Sequence, residues 1–202
     1  MSMQRDKTKT GIAALPLGKR GKNRDGRCGV IMQELTGYQL LQFAVFSDQM
    51  PQFKTNIKKY INIDQLADIS ASVRTSDMLL MRPEFGKFWL VRQQGGVQAF
   101  SSAMSHYFPL DLTGSKVMLR LSGVDAARLI NRFCAVDLSG PPGKFLATAL
   151  HHVPIHILKI AGSGYLLLLP RSFAQSLAEL LHHAALQFGV DVKSVAEWGI
   201  NK

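Results

Sequence analysis

The alternation of apolar and polar positions divides the chain into two similar series of short elements. In the first series, residues 38–46 predict a strand, and residues 51–61 predict a helix because their apolar positions fall on one helical face. Apolar runs at 78–81 and 88–91 flank the turn-forming residues 83–86, which indicates a hairpin. A second predicted helix follows, with an apolar face formed by Val97, Phe100, Met104, Tyr107 and Phe108.

The second series repeats this order of elements. Residues 117–121 alternate as in a strand with one buried face, and residues 122–125 match the capping box that begins a helix. Strands predicted at 155–160 and 165–169 are joined by the glycine-containing turn 161–164. The helix between the first two of these strands has an apolar face predicted at Ala126, Ala127, Ile130, Phe133 and Cys134.

The last helix is predicted to begin at Ser172, with Gln175 at the reciprocal position of a capping box. At 100° per residue, this phase places His182 opposite Phe173, on the side that faces solvent. The predicted apolar face of this helix consists of Phe173, Leu177, Leu180, Leu181, Ala184 and Phe188.

Each series therefore has the order strand, helix, strand, strand, helix. Two such units predict an α+β fold with antiparallel sheets and helices packed on one side of each sheet. We expect a basic flexible arm over residues 1–28, a first lobe over 29–109 and a second lobe over 110–202, with the two lobes forming one compact unit.

The positive charge of the chain is concentrated at its N-terminus. The 202 residues carry a formal net charge of +10, and residues 1–27 hold eight of the 24 basic and two of the 14 acidic side chains. The remaining residues are only mildly basic, so the field comes mainly from an arm that suits any acidic surface. This arm contains no aromatic residue to stack on nucleic-acid bases, which argues against a nucleic-acid partner.

No segment of the sequence resembles a signal peptide or a membrane span. The longest apolar run, 165–169, ends at Pro170 and has the length of a strand. Cys28 and Cys134 form no metal-binding or redox spacing, so both are expected to be free thiols, with Cys134 on a buried face. We therefore expect a cytoplasmic protein with no membrane partner.

Three histidines, His151, His152 and His156, are the strongest candidates for metal binding. Pro154 argues against a helix that would bring His152 and His156 onto one face. In a strand these two residues would stand about 13 Å apart, which is too far for one ion. The sequence therefore predicts no metal site, with these histidines as weak candidates only.

Arg171 is the weak candidate for binding a cofactor or another anion. It precedes Ser172, so its guanidinium could lie near a helix N-terminus and bind a carboxylate or phosphate. The alternative is a surface or interface arginine. No nucleophile with an adjacent base and no phosphate-binding glycine motif occurs, so we expect no catalytic residue in this chain.

A family resemblance is carried by the second half of the chain. Residues 131–139 have the sequence Asn-Arg-Phe-Cys-Ala-Val-Asp-Leu-Ser, and Phe145 and Thr148 follow. The strand at 153–160 and the run Tyr-Leu-Leu-Leu-Leu-Pro-Arg-Ser-Phe-Ala at 165–174 complete the pattern. In order and spacing this half resembles the gamma subunit family of heterotetrameric sarcosine oxidase.

The first half is similar to that family at one hairpin. Residues 81–84, Met-Arg-Pro-Glu, are followed by Trp89 and Leu90, with residues 85–88 as an insertion relative to the family pattern. The basic arm has no counterpart in the family.

The resemblance implies a fold like the folate-binding domain of glycine-cleavage aminomethyltransferase, with two ferredoxin-like lobes. It also implies partner subunits alpha, beta and delta, with alpha as the main contact. That assembly oxidatively demethylates sarcosine to glycine, with tetrahydrofolate as the one-carbon acceptor. In this family FAD, FMN, NAD, tetrahydrofolate and zinc are held by the other subunits. The resemblance thus implies a structural, non-catalytic subunit of an oxidoreductase that takes part in sarcosine catabolism and one-carbon metabolism.

Three alternatives remain open from the sequence. The first is a stand-alone folate-binding or aminomethyl-transfer protein of the same fold, for which Asp137 is the loop carboxylate to test. The second is a basic RNA-binding module, whose affinity would depend steeply on salt. The third is a homo-oligomeric scaffold without a partner chain.

Overall fold

The computed structural model describes residues 12, 15–21, 27–93 and 103–199. Over these residues the strands are β1 (Gly18–Arg20), β2 (Val30–Thr36), β3 (Tyr38–Ala44), β4 (Ala71–Arg74), β5 (Met78–Glu84), β6 (Lys87–Gln93), β7 (Leu110–Asp111), β8 (Lys116–Ser122), β9 (Phe145–Leu150), β10 (Val153–Ile160), β11 (Gly164–Pro170), β12 (Val190–Val192) and β13 (Ala196–Glu197). The α-helices are α1 (Met50–Ile61), α2 (Ala126–Ile130) and α3 (Ala174–Ala185).

The described strands form two sheets. The larger sheet has the order β1-β12-β2-β8-β11-β10-β9, and β13 pairs with β2 beyond the end of β12. The smaller sheet has the order β4-β5-β6-β3-β7. Pairing is antiparallel except where β12 and β13 run parallel to β2. The fold is α+β, as the sequence predicts.

The central strand β11 of the larger sheet is buried on both faces. Tyr165, Leu167 and Leu169 of β11 pack with helices α2 and α3, whereas Leu166 and Leu168 pack against the smaller sheet. Because successive side chains of a strand point to opposite faces, this run of apolar residues is what a central strand between two layers requires. The strand β8 is likewise buried on both faces, since Met118 is inaccessible, so the prediction of one buried face is wrong.

The smaller sheet also separates its side chains between two layers. Phe88 and Leu90 of β6 pack with α1, and Trp89 and Val91 of the same strand pack against the larger sheet. The predicted helix 51–61 is confirmed as α1, which ends at Asn62 in the left-handed conformation. The layers are therefore helix, sheet, sheet, helix.

The two sheets exchange strands relative to the sequence halves. The strand β2 belongs to the segment 29–109, yet it lies in the larger sheet between β12 and β8. Conversely β7, from the segment 110–202, pairs with β3 in the smaller sheet. The boundary between residues 109 and 110 therefore does not separate the strands of one sheet from those of the other.

Part of the predicted flexible arm is an ordered element of the larger sheet. The strand β1 pairs antiparallel with β12, with Lys19 opposite Asp191. Ile12 and Leu15 are buried in the cluster that includes α2 and α3, and the Ile12 N–H donates to Glu34 Oε2 at 3.2 Å. The prediction of a flexible arm is therefore wrong for these residues, because they cover apolar surface of the sheet.

Neither predicted capping box forms. The helix α2 begins after Asp125 without a capping hydrogen bond from a side chain. A 3-10 turn over Arg171–Phe173 precedes α3, so Ser172 is not a cap, and Gln175 Nε2 donates instead to Glu179 Oε1 at 2.6 Å. The helix predicted after β6 lies mostly outside the described residues, and within its described part Ser105–Tyr107 form a 3-10 turn.

None of the described helices is both long and apolar enough to span a lipid bilayer. Among the described residues no disulfide is formed, and Cys134 is buried as predicted.

Candidate functional site

A cleft of about 670 Å³ opens between the two sheets at the end where β10 turns into β11. Its floor is formed by Leu158, Leu166 and Ile160 of the larger sheet, and Leu79 of β5 lies in the opposite wall. A bridge between Ala71 and Lys144 joins the two sheets beside the cleft, whose lining includes the adjacent Ser72 and Gly143. Its volume lies in the range of small-molecule sites.

Two arginines give this cleft a positive charge. Arg120 lies on the face of β8 that also carries Met118, so its half-buried side chain enters the space between the sheets. Arg74 lies exposed at the end of β4. Lys159 also lines the cleft, and its Nζ donates to the carbonyl of Leu138. None of the described residues that line the cleft is acidic, so the cleft suits an anion with an apolar body.

Trp198 closes one side of the cleft. It follows β13, and its backbone N–H donates to the carbonyl of Thr36 at 2.6 Å, which holds the end of the chain against β2. The side chain is 8% exposed and joins the cluster between the sheets. Trp198 is therefore part of the protein's own core.

Arg171 binds the protein's own backbone. Its Nε donates to the carbonyl of Gly114 at 2.8 Å, and its backbone N–H donates to the carbonyl of Ser115 at 2.9 Å. The carbonyl of Lys116 accepts hydrogen bonds from Arg171 and from the hydroxyl of Tyr38. The guanidinium thus fastens the start of β8 to the turn before α3, and it lies away from the cleft.

The three candidate histidines occupy two different environments. His151 and His152 form the two-residue turn between β9 and β10, where both are exposed and their rings lie 5.5 Å apart. His156 lies on β10 with its ring 4.5 Å from that of Trp89 and 5.3 Å from that of Phe145. Among residues 12, 15–21, 27–93 and 103–199, no group of three or more His, Cys, Asp or Glu side chains is placed to hold a metal ion.

His156 has an unusual protonation equilibrium. Burial, with a smaller contribution from the charge of Lys116, lowers its pKa from 6.5 to about 4. Its Nδ1 is buried without a hydrogen-bond partner among the described residues. The imidazole is therefore neutral at physiological pH and serves as an aromatic packing element.

Asp137 is held in a turn. Its carboxylate accepts the N–H of Ser139 at 2.8 Å and a hydrogen bond from Lys144 Nζ at 3.2 Å. The hydrogen bonds from Ser139, followed by that from Lys144, lower its pKa to about 2. Asp137 is not among the residues that line the cleft, so the carboxylate singled out for a folate-binding protein lies outside the space where a ligand would fit.

The prediction that His182 faces solvent is wrong. His182 is 7% exposed and lies on the same side of α3 as Leu181 and Ala185, whereas Phe173 is half exposed. The prediction included Phe173 in the helix and thereby fixed the wrong phase, since the regular helix begins only at Ala174. Burial, followed by the charges of His183 and Arg20, lowers the pKa of His182.

Sequence reasoning did not single out Arg120 as a functional residue. The alternation of Val117, Leu119 and Leu121 marked Arg120 as a solvent-facing residue of a strand with one buried face. The signal that could have identified it is the pair of apolar neighbours on its own face, Met118 and Leu166, but Leu166 reaches that face only through the pairing of β8 with β11.

Comparison with known proteins identifies the fold. No family model and no curated protein sequence matches this chain. A chain of heterotetrameric sarcosine oxidase from Corynebacterium sp. U-96, solved in complex with pyrrole 2-carboxylate, is similar with a TM-score of 0.70 at 17% identity, over 84% of this chain and 88% of that chain. Aminomethyltransferase T of the glycine cleavage system from Bartonella henselae is similar with a TM-score of 0.59 at 20% identity. That match covers 84% of this chain, which spans about half (48%) of the aminomethyltransferase. The fold is therefore one found in both of these proteins.

Proposed function

We propose that this protein is the gamma-type, non-catalytic subunit of a hetero-oligomeric sarcosine oxidase. The observation that carries the proposal is the structural likeness to a chain of sarcosine oxidase, which covers 88% of the length of that sarcosine oxidase chain. The residue pattern in 131–139 and 165–174, which resembles the gamma family, supports the same assignment.

The contacts of these patterned residues also favour a structural role. The Cys134 thiol donates to the carbonyl of Ile130, Asp137 accepts hydrogen bonds from Ser139 and Lys144, and Arg171 donates to backbone carbonyls before β8. Burial raises the pKa of the Cys134 thiol, which makes it a poor nucleophile at neutral pH. In this proposal the oxidation of sarcosine, and the flavins, dinucleotide, tetrahydrofolate and zinc that it uses, belong to the partner subunits alpha, beta and delta.

Exposed apolar side chains support an assembly. Phe46 and Phe85 are 62% and 66% exposed, and they lie close together because the Val45 N–H donates to the carbonyl of Gly86. Phe108 and Leu110 are 67% and 52% exposed at the edge of the smaller sheet. Exposed apolar groups of this kind are typical of surfaces that a partner covers.

The test is affinity purification of the tagged chain from its native cells, with an absorption spectrum and mass spectrometry of the eluate. We expect a flavin spectrum and three co-purifying subunits with sarcosine oxidase activity. An untagged extract treated in the same way controls for non-specific retention. A colourless eluate that contains this chain alone would overturn the proposal.

A second candidate function is binding of a folate-type ligand by this chain alone. The cleft between the sheets favours it, because Arg74 and Arg120 could receive carboxylates while the apolar floor receives a ring system. Titration of the isolated chain with tetrahydrofolate, followed by tryptophan fluorescence, would test it. Binding that Arg120→Met weakens would support this candidate, and an unchanged spectrum would exclude it.

A further inference from the structure

The four edges of the two described sheets differ in how they are protected. The strand β1 is short and carries Lys19 and Arg20, and β7 has only two residues. The strand β4 ends in Arg74 and contacts the larger sheet. By contrast β9, with the sequence Phe-Leu-Ala-Thr-Ala-Leu, is six residues long and has no charge, no proline and no bulge. Natural proteins usually protect exposed edges with such features.

The hydrogen-bond pattern shows which groups of β9 face outward. The Lys159 N–H donates to the carbonyl of Lys144, so residue 144 and every second residue after it bond to β10. The Phe145 N–H instead donates away from β10, to the carbonyl of Ser70. By the same alternation, the N–H and C=O groups of Ala147 and Ala149 point out of the sheet.

These outward groups are open. Ala147 and Ala149 are exposed, and among the described residues no hydrogen bond to the backbone of either is found on the outer side. At one end the open stretch stops at Phe145, where the corner before β4 covers the edge. At the other end it stops at the turn His151-His152, whose φ angles of 46° and 69° are left-handed. Positive φ at both central residues is what a tight two-residue hairpin turn requires, so the turn ends the pairing of β9 with β10 sharply.

We propose that β9 is the docking edge for an extended segment of the partner subunit, which adds a strand to the larger sheet. This inference rests on the proposed function as a subunit of a hetero-oligomer. The segment pairs with the backbone of Ala147 and Ala149 over about five residues, as in strand addition to other sheet edges. The segment carries no charged side chain where it faces β9, because β9 itself has no charged residue to pair with it.

A second copy of this chain fits the edge less well. In a two-fold pairing of β9 with itself, centred on Thr148, the copy's residues 144 and 145 lie opposite His152 and His151, respectively. The corner at Ser70 and Ala71 covers the outer side of residues 144 and 145, so it would meet the histidine turn of the other copy. A single extended segment, which ends before that corner, avoids this contact.

The variant that tests strand addition at β9 most directly is Ala149→Pro. Proline removes an N–H that no group of this chain accepts, so the fold loses no hydrogen bond, but an incoming strand loses a partner and meets the ring. Ala149→Val is the matched control, because it keeps the N–H and suits a strand. In affinity purification from native cells, we expect Ala149→Val to retain the flavin-containing partner and Ala149→Pro to retain at least about tenfold less, with unchanged circular dichroism.

Hydrogen exchange provides the second measurement. In the purified wild-type complex, the amides of Ala147 and Ala149 are expected to exchange at least about 100-fold more slowly than in the isolated chain, while that of Thr148 is protected in both. Full retention of the partner by Ala149→Pro, with fast exchange at both alanines in the complex, overturns the edge assignment while the subunit proposal stands. Loss of every partner by the wild type overturns the subunit proposal and this inference together. A dimeric isolated chain with protected alanines assigns the edge to a second copy and overturns the partner segment.

Discussion

The buried imidazole of His156 couples the stability of the sandwich to pH. Its pKa is about 4 in the folded protein and ordinarily about 6.5. Between these values the unfolded chain binds a proton that the folded chain does not, so stability falls as the pH is lowered from 6.5 to 4. The imidazole stacks on Phe145 and makes a tilted contact with Trp89, and an uncharged aromatic ring can make both contacts.

We therefore expect His156→Phe to remove this part of the pH dependence. The variant should be at least as stable as the wild type at pH 7, and its advantage should grow by up to about 1.4 kcal/mol per pH unit below 6.5. Urea unfolding followed by circular dichroism at pH 7, 6 and 5 measures the difference. Because His182 titrates in both proteins, its contribution cancels, and a difference that stays constant with pH would contradict the assignment.

Gly123 has both a backbone conformation and a close backbone contact that require glycine. Its φ is +110°, and an added Cβ would lie 2.4 Å from the carbonyl oxygen of Gly29, which accepts the N–H of Asp125. Gly162, in the turn between β10 and β11, also has a positive φ, but an added Cβ there meets open space. Gly162 therefore tests backbone strain alone, whereas Gly123 tests backbone strain together with steric overlap.

The expected outcome is a large difference between two alanine substitutions. Gly162→Ala should cost about 1–2 kcal/mol, from the left-handed conformation alone. Gly123→Ala should cost roughly 3 kcal/mol or more, because the overlap with Gly29 adds to the strain. Chemical denaturation of both variants measures this, and equal losses would show that the contact with Gly29 relaxes freely.

At the level of elements, periodicity predicted the long elements well and their beginnings poorly. The helix at 51–61 and the hairpin around 83–86 are confirmed as α1 and β5–β6. The strand β2 was missed because Glu34 interrupts its apolar alternation, and in the structure this carboxylate is buried and accepts the N–H of Ile12. Both capping boxes failed, since a matching sequence does not fix where the first helical turn begins.

The segment that covers β2 provides a test at this scale. Leu15 is 7% exposed in the cluster beside α2 and α3, whereas Leu17 is 63% exposed. Leu15→Ala should lower the free energy of unfolding by about 2 kcal/mol, and Leu17→Ala by less than about 0.5 kcal/mol. Thermal denaturation of the two variants distinguishes an ordered segment from a flexible arm, for which both losses would be small and equal.

At the level of the whole molecule, the cluster between the sheets makes the two sequence halves one unit. Leu79, Met81 and Val91 of the smaller sheet pack with Met118, Leu166 and Leu168 of the larger one. The strand β2 also connects the two halves, because it comes from the first half of the chain and pairs with β8 in the larger sheet. Neither sheet can therefore bury its inner face without the other.

We expect a single cooperative unfolding transition for the isolated chain. Tryptophan fluorescence reports on the packing between the sheets through Trp89 and Trp198, and far-ultraviolet circular dichroism reports on all strands and helices. The two signals should change at the same urea concentration. Separate midpoints would show that the sheets unfold independently and that the shared core is weak.

The sequence by itself determined the α+β class, the helix α1, the main hairpins and the burial of Cys134, because these depend on local periodicity and on apolar composition. It also carried a family resemblance through residues that prove to hold turns in place, such as Asp137 and Arg171. Only the tertiary structure decided the partners of β2 and β7, the phase of α3 that buries His182, the neutral state of His156 and the open edge of β9. The physical reason is that these features depend on which distant segment lies on the other side of a strand or helix, and a side chain's own neighbours in sequence do not specify that segment.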